Sequence, residues 1–208
     1  MPYEYQVEIG GIMYGMDSIK SANIKQPLFE YFGAGNAMPA EFHITFIPKE
    51  EPPRMAKIVP FCREEGEKDW HKLGIFFVDV RSEDRQWKNL IAYDSMLKTE
   101  QTYLISEDVG EWPRGMKALV ADIASRIDVE VDSRTVINES YVVEYPNDYT
   151  MREILCHIAA AHAGNWIITA DGKLLLVPLF TAMPPETYYL IEDSGSAIVL
   201  ERIEFWYE

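Results

Sequence analysis

The stretch YTMREILCHIAAAHAGNWIITADGKLLLV, residues 149–177, holds a helix followed by a strand hairpin. Thr150 stands where a side-chain oxygen can accept from the first turn, and Glu153, three residues on, can reach back to the cap residue. Ile154, Leu155, Ile158, Ala159 and His162 then share one stripe of the predicted helix. Gly164 falls where a left-handed helix C-cap is expected. Beyond it, Trp166 to Thr169 and Lys173 to Val177 flank Ala170-Asp171-Gly172. Asp-Gly accepts the positive φ angles of a tight turn, so the two runs read as a hairpin.

Upstream, a second helix is predicted after Trp112-Pro113, with Met116, Leu119, Val120, Ile123, Ala124 and Ile127 at helical spacing and proline at its first turn. Ser95 to Lys98 starts a short helix or turn. Before Tyr93 the pattern is different. Tyr3, Tyr5, Val7 and Ile9 alternate with polar residues, as do Phe42, Ile44 and Phe46, and each run reads as a half-buried strand. Ile19 to Leu28, Ala56 to Arg63, Leu73 to Arg81 and Trp87 to Tyr93 bring the total to about six. Several short strands without intervening helices favour a barrel or sandwich over a parallel sheet. The fold expected is therefore α+β: a barrel-like β domain over residues 1–95, then a small domain of two helices and a hairpin over 96–180. Two further strands, Tyr188 to Ile191 and Ala197 to Trp206, fill 181–208 and either return to the first sheet or begin another barrel.

A chain of 208 residues buries roughly 70% of its unfolded surface and needs neither disulfides nor a metal to fold. Its net charge of -15 argues against binding nucleic acid or an anionic membrane, which takes clustered Lys and Arg. The run Arg63-Glu64-Glu65-Gly66-Glu67-Lys68-Asp69 reads as a solvated loop. Two distant cysteines, Cys62 and Cys156, suggest a reducing compartment. Neither a signal peptide nor a membrane-spanning run is recognisable, so synthesis in the cytoplasm without a membrane anchor is expected.

Catalytic and metal constellations are absent from the sequence pattern. His157 and His162 are five residues apart, about 140° around a helix, where zinc-binding pairs stand four apart. Cys62 lies beside Arg63, which can lower a thiol pKa, with His43 or His71 as candidate bases; Gly-x-Ser-x-Gly is missing. Gly10-Gly11 and Gly33-Ala34-Gly35 are read as turns because no strong helix follows either. Neither enzyme activity nor a cofactor is expected. What remains is aromatic surface: Trp70, Trp87, Trp112 and Trp166, read mainly as core, and Phe205, Trp206 and Tyr207, a candidate subunit interface.

The order of these segments resembles a known family. Leu73-Gly74-Ile75-Phe76-Phe77-Val78-Asp79 and Ala92-Tyr93-Asp94-Ser95-Met96 are followed by the helix entered at Pro113 and then Ile137-Asn138 before Tyr141. Next come Pro146, Thr150-x-Arg152-Glu153-Ile154-Leu155, Gly164-Asn165 and Asp171-Gly172-Lys173-Leu174. Together they are similar to the central section of phage tail hub or baseplate hub proteins. The likeness covers about residues 70–180; residues 1–70 share only their richness in strands.

That resemblance implies a homotrimer whose β-barrel domains form a ring continuing the tail tube. It also implies neighbours in the tube or distal tail protein and the tape measure, and DNA passing through without specific binding. A location in the virion tail after synthesis in the bacterial cytoplasm follows. Family members are usually longer, with a second tube domain and often a C-terminal hydrolase or fibre, so the chain is expected to be an N-terminal piece. The alternatives are a tail-associated peptidoglycan hydrolase using Cys62 or Cys156, and a receptor- or carbohydrate-binding tail module.

Overall fold

Alternation in the first part builds one antiparallel sheet of eight strands. The computed structural model describes residues 3–28, 30, 33–104, 111–179, 188–191 and 197–200. Strands β1 (Tyr3–Ile9), β2 (Ile12–Gly15), β3 (Ile19–Lys25), β4 (Glu41–Phe46), β5 (Lys57–Glu64), β6 (His71–Lys72), β7 (Phe76–Asp84) and β8 (Trp87–Tyr93) run β2-β1-β5-β7-β8-β4-β3, with β6 on the free part of β5. One face of β1, β4, β5, β7 and β8 supplies most of the core: Val7, Ile9, Phe42, Ile44, Phe46, Ile58, Phe76, Val78, Leu90 and Ala92 are all buried. Pro60 is tolerated inside β5 because β7 pairs only with Lys57 and Ile58, and β6 only with Phe61 and Cys62.

The sheet curls but does not close into the barrel that the alternation suggested. Tyr14 of β2 meets Phe46 of β4 edge to face at 4.9 Å, although these strands lie near opposite ends of the sheet. Closure would require β2 to pair with β3. Gly10 and Gly11, both at positive φ, turn β1 into a β2 of only four residues. Ser18 N then donates to Gly15 O, while Ser18 O accepts from Ile47 N at 2.9 Å, so the chain entering β3 is already committed to β4. The two ends of the strand order, β2 and β3, are left with free edges among the described residues.

The second unit is built as its pattern predicts, with local differences. A 3-10 helix, Ser95–Glu100, is capped by Asp94, whose Oδ1 accepts from Met96 N at 2.9 Å. After β9 (Arg114–Gly115) comes α1 (Met116–Arg126), which buries Leu119, Val120, Ile123 and Ala124. Pro113 is not its first residue. Strand β10 (Val142–Val143) pairs with β9. Helix α2 (Met151–Ala161) carries the predicted capping box: Glu153 N donates to Thr150 Oγ1 at 3.1 Å, and Thr150 N donates to the Glu153 carboxylate at 2.7 Å.

Gly164 does not end α2 as a left-handed cap; Ala163 takes the positive φ. Instead Gly164 opens β11 (Gly164–Ile168), where an added Cβ would stand 2.8 Å from Val177 O on β12 (Leu174–Pro178). The hairpin is real, but its loop spans Thr169 to Lys173, wider than a two-residue turn, with Gly172 at φ 83. Trp166 lies fully buried beneath α2 and donates its indole N–H to Leu155 O at 2.8 Å.

Two segments outside the helix-hairpin unit extend that hairpin. Asn36 and Ala37, between β3 and β4, run parallel to β11: Gly35 N donates to Gly164 O, and Trp166 N to Asn36 O at 2.8 Å. On the other side Val131 bridges Leu174. A buried amide pair secures the first crossing. Asn165 Oδ1 accepts from Asn36 N at 2.8 Å, and Asn165 Nδ2 donates to Gly33 O. The loop at Gly33–Gly35, read as a turn, is therefore docked: at Gly35 (φ 95) a Cβ would meet Ala160 Cβ at 3.1 Å and Cys156 O at 3.3 Å. Farther on, β13 (Tyr188–Ile191) and β14 (Ala197–Leu200) pair with each other, and among the described residues neither pairs with a strand of the first sheet.

Candidate assembly surface

Each side chain weighed for chemistry now has a position. Cys156 is half-buried where α2 meets Ala37, and burial pushes its thiol pKa up, the reverse of activation. His157 is exposed against Tyr149, with 5.2 Å between ring centres. His162 accepts from Asn138 N at Nε2 (2.9 Å), which leaves Nδ1 to donate to Ile158 O (2.8 Å), so the ring anchors the segment after α1. The three do not converge. No group of three metal-binding side chains occurs among the described residues.

On β5, Cys62 stands directly opposite His71 of β6, but His71 Nε2 lies 3.4 Å from Glu67. His43 sits on β4 beside Glu41 at 3.0 Å, away from that pair. Arg63 stacks on Trp70 at 4.4 Å. Of the four tryptophans described, only Trp166 is fully buried; Trp70, Trp87 and Trp112 are partly open and each carries a cation over its ring, from Arg63, Lys20 and Arg114. The candidate interface Phe205, Trp206 and Tyr207 lies outside the described residues.

Asp94 is the most perturbed group. Burial raises its carboxyl to about 7, against the pull of two backbone donors, Ala40 N at 3.0 Å and Met96 N at 2.9 Å, and of the Arg152 charge. Arg152 pairs with Glu100, while its Nε and Nη2 are buried without a hydrogen-bond partner. This cluster ties the end of β8 to the segment before β4 and faces the start of α2. It closes the joint between the sheet and the helical unit.

Two features face outward. The free edge of β3 borders an apolar groove of about 380 Å³ whose other wall is Tyr5, Val7, Pro60 and Phe61 of β1 and β5. Proteins normally cover or charge such an edge, since its unpaired N–H and C=O groups template another strand. Here Lys20 is drawn over Trp87 (5.4 Å) and Lys25 toward Glu41 (3.9 Å), so both cations lean back along the sheet. The other feature is a row of exposed tyrosines, Tyr141, Tyr145 and Tyr149, on the segment leading into α2. Sequence reading passes over this row, although its signal is plain: tyrosine recurs at every fourth position, with Glu144 and Asp148 between.

A curled, unclosed sheet joined through a crossing loop to a helix-hairpin unit is a fold shared with two solved tail proteins. Superposition matches a 43 kDa tail protein of prophage MuSo2 from Shewanella oneidensis with a TM-score of 0.62 at 14% identity, covering 86% of this chain and 56% of that one. A tail protein from Neisseria meningitidis MC58 matches with a TM-score of 0.60 at 11% identity, covering 90% of this chain and 55% of that one. The chain thus spans little more than half the length of either. No family model and no curated protein sequence matches it. No helix among the described residues is long and apolar enough to cross a membrane.

Proposed function

We propose that the chain is a non-enzymatic structural subunit of a bacteriophage or prophage tail, part of the distal hub or baseplate ring that continues the tail tube. The observation that carries this reading is the shared fold with two tail proteins over 86% and 90% of the chain. The free β3 edge and its apolar groove support it physically, because a ring of copies would cover both by strand pairing across subunits. The partners of that ring are two further copies of the chain, the tube or distal tail protein, and the tape measure. A strongly acidic lumen, in keeping with the charge of -15, would let DNA pass without adhering. Light scattering on the purified chain tests the ring: three times the 24.0 kDa of one chain is expected. A monomer at every concentration, together with absence of the chain from purified tails by mass spectrometry, would refute the reading.

A second reading draws on the Cys62–His71 register. A thiol and an imidazole on facing strand positions are the minimum for a cysteine peptidase, and the class would be a tail-associated cell-wall endopeptidase. It requires peptidoglycan clearing in a zymogram that disappears in Cys62→Ala.

A further inference from the structure

Between α1 and α2 the chain crosses the outside of the helical unit; Val131, Ile137 and Val143 pack on its core, while five other apolar side chains are turned to solvent. Val136 is 79% exposed, Tyr145 54%, and Tyr141, Val142 and Tyr149 more than 40%. Isolated exposed apolar residues are ordinary, but here five stand within fourteen positions. The rings among them are held by their neighbours. Tyr145 stands edge-on to Trp112 at 5.6 Å, Trp112 meets Tyr103 at 6.3 Å, and Tyr141 and Tyr149 rest on His162 and His157. Rings already positioned lose little freedom on binding.

Acidic residues neighbour these rings along the chain: Glu144 precedes Tyr145, Asp148 precedes Tyr149, and Glu111 precedes Trp112. Glu139 is paired with Lys117, but Glu111, Glu144 and Asp148 are exposed and have no ion-pair partner among the described residues. One of the rings already carries a cation. The Arg114 guanidinium lies 4.8 Å from the centre of the Trp112 ring while donating to the Tyr103 hydroxyl (3.2 Å) and to Glu111 O (3.2 Å). Planar guanidinium groups stack on aromatic faces and fork onto carboxylates, a combination an ammonium cannot reproduce.

We propose that the surface formed by Tyr141, Tyr145 and Tyr149 with Glu111, Glu144 and Asp148 docks an arginine-bearing basic segment of a partner protein. Charge complementarity selects this occupant: three unpaired carboxylates on a chain of charge -15 repel nucleic acid, acidic glycans and acidic proteins alike. A neutral sugar would use the ring faces but leave the carboxylates idle. The inference goes beyond the ring reading and stands or falls apart from it, since these residues lie on the helical unit and not on the sheet edge.

The test is fluorescence anisotropy of the full chain with a labelled peptide of alternating arginine and glycine, ten residues long, at low and physiological salt. Saturable binding that weakens with salt is expected, with the lysine-glycine peptide several-fold weaker. Tyr145→Ala should weaken binding about fivefold. Glu144→Gln combined with Asp148→Asn should weaken it by at least as much, and Glu65→Gln combined with Glu67→Gln, in the β5–β6 loop, should leave it unchanged. Thermal melts establish that each variant is folded. Three results would overturn the proposal: no saturable binding, equal loss in the Glu65/Glu67 variant, or tyrosine-dependent binding of chitotetraose without binding of the peptide.

Discussion

Replacing Asp94 by asparagine should flatten the pH dependence of stability. The wild-type carboxyl titrates near 7 in the folded chain against an ordinary value of 3.8, because burial outweighs the two N–H donors and the Arg152 charge. Between these two values the folded chain holds a proton that the unfolded chain has released, so stability falls as pH rises. The contribution is fully present below pH 3.8 and lost as pH climbs through 7. With those two values the loss between pH 5 and pH 8 comes to about 2.6 kcal/mol. Asparagine does not titrate, and it forfeits one of the two N–H bonds because its amide nitrogen cannot accept. The variant should therefore be less stable at pH 5 and draw level with or overtake the wild type near pH 8. Urea unfolding followed by tryptophan fluorescence at several pH values measures both curves, and every other carboxylate contributes equally to each. Parallel curves for the two proteins would refute the argument that burial dominates at this site.

Three further substitutions probe the frame. Gly164→Ala places a methyl 2.8 Å from Val177 O, a backbone atom that cannot step aside, and should cost about 2–3 kcal/mol, read as a fall of roughly 5–10 °C in Tm. Thr150→Ala removes half of an exposed capping box and should cost about 1 kcal/mol, with helix content of the rest intact by circular dichroism. Asn165→Ala strips the acceptor from Asn36 N and a donor from Gly33 O in a buried place, so a loss of about 1–3 kcal/mol is expected. Amide exchange at Asn36 should quicken well before exchange in β4, because the crossing loop is released while the sheet is not.

The helix stripes and the capping box were readable because they are local: Leu119, Ile123, Ile154 and Ile158 mark buried faces at a period that nothing else in the chain imitates. Strand faces were equally legible, since Phe42, Ile44 and Phe46 alternate strictly and are buried as the alternation requires. Period two tells which face is inside but is silent on which strand lies beside which. Closure of the sheet depended on a pairing between β2 and β3 that Ser18 forecloses, and no pattern in residues 12–18 announces it. Gly164 was mistaken for a cap because glycine at a helix end has two uses, positive φ and close approach, and the sequence does not separate them. The docking of Gly33–Ala37 onto α2 and β11 was invisible for the same reason: its partners, Cys156, Ala160 and Asn165, lie more than a hundred residues away.

That long-range docking bears on how the two units would act in an assembly. A sheet with an open edge bends most easily where its strands are not paired, and here the loop between β3 and β4, next to the free edge, is fastened to the helical unit by the Asn36–Asn165 pair and by Asp94 on Ala40 N. Gln26, just past the end of β3, adds a third tie through Nε2 to Ile168 O at 3.1 Å. Force applied to β3 by an added strand would therefore pass into β11 through polar contacts whose geometry is directional, and not be lost in a hinge. The fastening also accounts for Asp94 at so costly a place: its two carboxyl oxygens hold Ala40 N and Met96 N at once. The helical unit therefore stiffens the free edge of β3.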